Sequence, residues 1–142
     1  SRGIPTGRSL FAVHVGASRK ALVAKITTAL QSGDTANAVT LAKAGVIASP
    51  CPEEAWLLLG ISLHQAGEYQ KALEALYTSV RHRETIEAFF RIFQVNIRLG
   101  NTAEARRIAL YLRYRLAETD FVRESEAYGT IAAAVAAFLT NA

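Results

Sequence analysis

The chain of 142 residues has no methionine, a single cysteine and three prolines. One cysteine excludes an intramolecular disulfide framework, so nothing points to a small cross-linked secreted fold. Cys51 lies between Pro50 and Pro52 with no histidine or cation beside it to stabilise a thiolate, and it reads as a linker residue. Histidine is scarce as well. His14, His64 and His82 are too far apart for any two to share a helix face, which removes a common metal-ligand pattern. No glycine-rich loop leads into a helix bearing Lys-Ser/Thr, and no serine sits in a strand–turn–helix elbow. No apolar run reaches the roughly 20 residues that a bilayer requires. These absences speak against an enzyme, a bound metal, a cofactor and a membrane span.

What remains is apolar, periodic and rich in alanine. Apolar residues make up 51% of the chain, and a chain of this length normally forms one domain with a useful core. Gly33, Gly67 and Gly100 recur at spacings of 34 and 33 residues. Each is followed by a polar residue (Asp34, Glu68, Asn101) and, five residues on, by an alanine (Ala38, Ala72, Ala105). A fixed period of this length with helical patterning marks a helix–turn–helix repeat array. In the middle unit Trp56, Leu59, Gly60 and Leu63 fall at i, i+3, i+4 and i+7, on one helix face. Ala72, Leu73, Leu76, Ser79 and Val80 follow at the same kind of spacing. Gly60 and Ala72 suit a close approach of two antiparallel helices, and Gly67 suits a left-handed helix end.

This unit resembles the tetratricopeptide repeat (TPR). The family pattern runs aromatic, Leu-Gly, large, Gly-Asp/Glu-Tyr, Ala, large, Ala. Here it reads Trp56, Leu59-Gly60, Leu63, Gly67-Glu68-Tyr69, Ala72, Leu76, Ser79, with a mild departure at the last small position. The first unit keeps Gly33-Asp34, Ala38 and Ala42, with Pro50 where the family places its inter-repeat proline. The third keeps Gly100-Asn101, Ala105 and Ala109, but Phe93 stands where a small residue is expected. The resemblance covers about 100 of the 142 residues. It implies an all-α fold, a right-handed superhelix of three TPR-like helix–turn–helix repeats over about 19–52, 53–85 and 86–119. A C-terminal capping helix is expected over about 121–140, with Asp120 as its N-cap.

The two ends are read from composition. Residues 1–18, with Gly3, Pro5, Gly7 and Gly16 and no initiating methionine, are expected to be a flexible N-terminal arm or an expression remnant. The terminal helix is apolar on nearly all sides after Thr130. That suits either a helix buried as a cap or an interface with a second chain, including a homodimer.

Net charge is +4, and arginine dominates the second half, where Glu84, Glu87, Glu104 and Glu118 are interleaved with it. This reads as helix-face pairing, and no nucleic-acid partner is expected. In TPR arrays the first helix of each pair lines the concave surface. That resemblance, with helical spacing, assigns Val23, Thr27 and Leu30 to the groove from the first unit. Leu57, Ile61, His64 and Gln65 come from the second, and Phe90, Gln94, Ile97 and Arg98 from the third. The clamp by which some family members hold an acidic chaperone tail needs Lys and Asn at the Val23 and Thr27 positions, so that mode is rejected. An apolar groove fits a protein or peptide partner with apolar anchors. Some of these residues could instead pack against the terminal helix or the arm. In size and architecture the chain looks like the bacterial type III secretion chaperones. That likeness implies a cytoplasmic binding protein that occupies its client's apolar segment. The alternative is a self-associating scaffold or assembly domain of a larger TPR protein.

Overall fold

In the computed structural model, which describes residues 7–48, 51–118 and 126–141, three glycines end three helices in the same way. Gly33, Gly67 and Gly100 have φ of +82°, +82° and +77°. A side chain there would press on the following carbonyl, so glycine is the residue the turn requires. At each turn the glycine amide donates to the carbonyl three residues back: Leu30 (3.2 Å), His64 (3.1 Å) and Ile97 (3.1 Å). The next amide donates five residues back, to Ala29, Leu63 and Asn96, each at 2.9 Å. This paired bonding satisfies carbonyls that a helix end leaves free.

The chain forms seven helices among the described residues: α1 (Gly7–Gln31), α2 (Thr35–Ala48), α3 (Pro52–Gln65), α4 (Tyr69–His82), α5 (Ile86–Leu99), α6 (Thr102–Glu118) and α7 (Glu126–Asn141). Consecutive helices pack on one another along the whole chain, and α1 also meets α3, and α3 meets α5. The odd-numbered helices thus form one layer, and the fold is an all-α TPR-like repeat. Start signals agree with local chemistry. Thr85 caps α5 by accepting from the Ala88 amide at 3.2 Å, and Asp34 caps α2 by accepting from the Asn37 amide at 3.3 Å. Pro52 opens α3, with Glu53 and Glu54 in its first turn, where their charge complements the helix dipole.

One boundary differs from the sequence reading. α1 begins at Gly7, so the arm expected over 1–18 is helical from Gly7 onward. Short apolar runs such as Leu10–Val15 do not distinguish helix from extended chain, and the single interior Gly16 costs a helix only about 1 kcal/mol. Residues 1–6 lie outside the described residues. So do Asp120 and Phe121, the expected cap and start of the terminal helix.

The core runs through the whole array. Ile26, Leu76, Ile92, Phe93, Leu112 and Val135 are all fully buried and come from α1, α4, α5, α6 and α7. Each such side chain contributes roughly 1.5–3 kcal/mol by leaving water. The small positions are where helices touch most closely. A Cβ built on Gly60 would stand 2.5 Å from Leu76 Cγ and Cδ2, so α3 lies directly on α4 at that point. Ser79, the departure from the family's small residue, is 1% exposed and donates to the Glu53 carbonyl at 2.7 Å. Its hydroxyl ties α4 to the first turn of α3, which an alanine could not do. Phe93 fills the place of a small residue because α7 answers it: Phe138 meets its ring edge-on at 5.1 Å.

The α3–α4 contact sets an expectation for stability. Gly60→Ala should destabilise the protein by about 1–3 kcal/mol through overpacking against Leu76, despite alanine's better helix propensity. Urea denaturation followed by circular dichroism measures it, and an unchanged or raised midpoint would contradict the packing account.

Candidate groove on the odd-numbered helices

The face of α1, α3 and α5 away from the even-numbered helices is the candidate site. On α1, Val23 and Leu30 are half-buried and Thr27 is exposed, its hydroxyl turned back to the Val23 carbonyl at 2.8 Å. On α3, Leu57 and His64 are half-buried and Gln65 is exposed, while Ile61 keeps only 7% of its surface. Ile61 therefore acts as packing between helices and offers little to a partner. On α5, Phe90 and Gln94 are half-buried, Ile97 is 43% exposed and Arg98 is exposed. Leu30, Leu57 and Phe90 all lean on the core.

The packing reading of these residues is partly realised. Phe90 stacks on Phe93 at 6.0 Å, and Phe93 in turn meets Phe138 of α7. The α7 side of α5 is thus aromatic. The α3 side is polar. His64 contacts the Tyr69 ring at 5.8 Å and lies within electrostatic reach of Arg91 and Arg98. Two atoms in this region are shielded from solvent and have no hydrogen-bond partner: His64 Nδ1 and Gln94 Oε1. Such atoms are uncommon in folded proteins because each forfeits its hydration.

Burial is the main cause that lowers the His64 pKa below the usual imidazole range, followed by the positive charges of Arg91 and Arg98. Arg91 is half-buried on α5 and its charge acts on His64, whereas Arg106 and Arg113 are exposed on α6. Nothing in helical spacing alone assigns Arg91 to a particular neighbour, because that depends on how α3 lies against α5.

Polar contacts brace the layer. Arg19 on α1 pairs with Glu54 on α3 at 2.6 Å. Behind the groove, buried Asn96 donates to the Ile92 carbonyl at 2.9 Å and accepts from Asn101 at 3.0 Å. Tyr77 of α4 donates to Glu104 of α6 at 2.9 Å, and Arg107 donates to the same carboxylate at 2.5 Å. The Arg19–Glu54 and Tyr77–Glu104 links cross between repeats, so no single helical period shows them. Two shallow surface depressions, one beside Ala24, Thr28 and Asn37 and one beside Leu73, Tyr77 and Thr78, lie away from the odd-helix face. Among the described residues no group of three or more His, Cys, Asp or Glu could hold a metal ion, and no helix is long and apolar enough to cross a membrane.

No protein-family profile matches the sequence, and no curated protein matches it. The fold does have solved counterparts. PcrH from Pseudomonas aeruginosa, in complex with the chaperone binding region of PopD, superposes with a TM-score of 0.75 at 19% identity, covering 89% of this chain and 91% of that one. SycD, the Yersinia enterocolitica type III secretion translocator chaperone, gives 0.72 at 16% identity over 86% and 83% of the two chains. The TPR2AB domain of yeast Sti1 gives 0.70 at 12% identity, covering 92% of this chain and 53% of that one. The architecture is TPR-like and similar to that of type III secretion chaperones.

Two outcomes follow from this geometry. A folded-state imidazole pKa below the unfolded value of about 6.5 stabilises the fold above that value, and the stabilisation is lost as pH falls through the folded pKa. Denaturant midpoints at pH 7.5 and pH 5 should therefore differ more for the wild type than for His64→Gln, and equal differences would rule His64 out as the cause. Ile61→Asp should cost several kcal/mol by burying a charge, whereas Ile97→Glu should stay within about 0.5 kcal/mol of wild type. Thermal melts of the two variants separate framework from open surface.

Proposed function

We propose that this chain is a non-enzymatic protein-binding module that holds an apolar helical or extended segment of a partner along the α1–α3–α5 face, as a secretion chaperone or co-chaperone. The observation that carries the reading is the composition of that face. Leu30, Leu57, Phe90 and Ile97 come from three successive odd helices, and two shielded polar atoms among them lack partners. A face with apolar anchors suits a second chain better than bulk water. The solved complex of PcrH with its PopD region supplies the analogy for occupancy. In this role the protein works in the cytoplasm and keeps its client from assembling early. The ordering cost of the client segment is offset by apolar area buried at the anchors.

A second reading rests on α7. From Ala127 to Asn141 it carries no charged residue, and Ala133, Ala136 and Ala137 are exposed on its outer side. A terminal helix without outward charge suits self-association, which would make the chain an assembly domain.

The test is affinity capture from a lysate of the source organism by the wild type and by Ile97→Glu with Gln65→Glu, two substitutions on exposed positions. An apolar client captured by the wild type and lost by the variant, with an unchanged melting temperature, is the expected result. Identical captures would remove the groove reading. Light scattering that shows only concentration-dependent dimers would favour the assembly domain.

A further inference from the structure

Arg91, Gln94 and Arg98 stand at i, i+3 and i+7 of α5 and so share one side of that helix. That side looks toward α3, where both guanidinium charges act on His64. Elsewhere among the described residues Arg81, Arg83, Arg106 and Arg113 form no ion pair. Arg19, Arg107 and Arg115 are paired with Glu54, Glu104 and Glu84. Neither Arg91 nor Arg98 forms an ion pair among the described residues, and Glu87, one turn before Arg91, does not bind it either. In the same region His64 Nδ1 and Gln94 Oε1 are shielded and unpartnered. The apolar Phe90 and Ile97 lie beside them around α5, about a quarter turn away, with Gln94 between.

We propose that Arg91 and Arg98 form a subsite for an acidic side chain of the partner. The inference rests on the groove reading above and adds a requirement to it. A segment that seats an apolar residue on Phe90 and Ile97 presents an Asp or Glu to the two guanidinium groups. Charge complementarity selects this occupant. Two neighbouring cations without carboxylates, Arg91 half-buried and Arg98 exposed, attract an anion. The subsite makes the groove selective, because an apolar segment without the acid leaves both charges unmatched at the rim of a desolvated contact.

The experiment is messenger-RNA display of random 12-residue segments, flanked on both sides by Gly-Ser linkers so that only side chains supply carboxylates. Selection is run on the whole protein, on Arg91→Gln/Arg98→Gln and on Ile97→Glu, with circular dichroism as the control for folding. The wild type should enrich segments with an apolar residue and an Asp or Glu at a fixed spacing. The Arg91→Gln/Arg98→Gln protein should lose the acid preference, and Arg91→Lys/Arg98→Lys should regain part of it. The best peptide should bind the Gln variant about tenfold more weakly, and the difference should vanish when its acid is replaced by the amide. Apolar segments without an acid, enriched equally by the wild type and the Gln variant but lost on Ile97→Glu, would overturn the subsite and leave the groove standing. No enrichment, or enrichment untouched by Ile97→Glu, would overturn both.

Discussion

Three left-handed glycines hold the architecture together. Each ends an odd-numbered helix with the same pair of backbone hydrogen bonds and turns the chain back after one polar residue. Because the turns are alike, the hairpins they create are alike. Identical hairpins stack so that their first helices fall in one layer and their second helices in another. The odd-helix face is therefore a consequence of turn geometry. A β-carbon at any of these positions would strain the turn, and a turn of different shape would rotate every later helix out of the layer.

Within that frame the departures from the repeat pattern have local reasons. Phe93 is large where the middle unit has Gly60, and the last helix compensates. Phe138 closes against it, so the third repeat packs aromatically on the last helix. Ser79 replaces alanine and gains a hydrogen bond to the first turn of α3. Asn96 is buried in α5 with its amide and carbonyl both engaged. In each case a polar or bulky residue in a core position is tolerated because a specific neighbour satisfies it.

The candidate groove has two characters on one helix. α5 presents aromatic and aliphatic surface toward α7 and cationic surface toward α3, with Gln94 between them. A purely hydrophobic surface would bind any collapsed chain and promote aggregation. Charges at the edge of such a surface disfavour segments of unmatched chemistry.

The sequence by itself determined the repeat. A period near 34 residues, glycine at each helix end and alanine five residues later are local signals, each with a backbone or packing cause that acts within one hairpin. The candidate face is read from the same kind of signal: helical spacing groups Leu57 with Ile61 on α3 and Phe90 with Gln94 and Ile97 on α5, while Leu57 and Phe90 also lean on the core. Where the first helix begins was not legible, because Gly7 to Ser18 lacks the period that marks the rest. Tertiary structure alone decided which of the face residues stay open. Ile61 has the same helical phase as Gln94, yet its surface is covered once neighbouring helices pack beside it. The tertiary arrangement also decided that the charges of Arg91 and Arg98 act on His64. Both outcomes depend on the distance and angle between helices far apart in sequence, and no single helix encodes those.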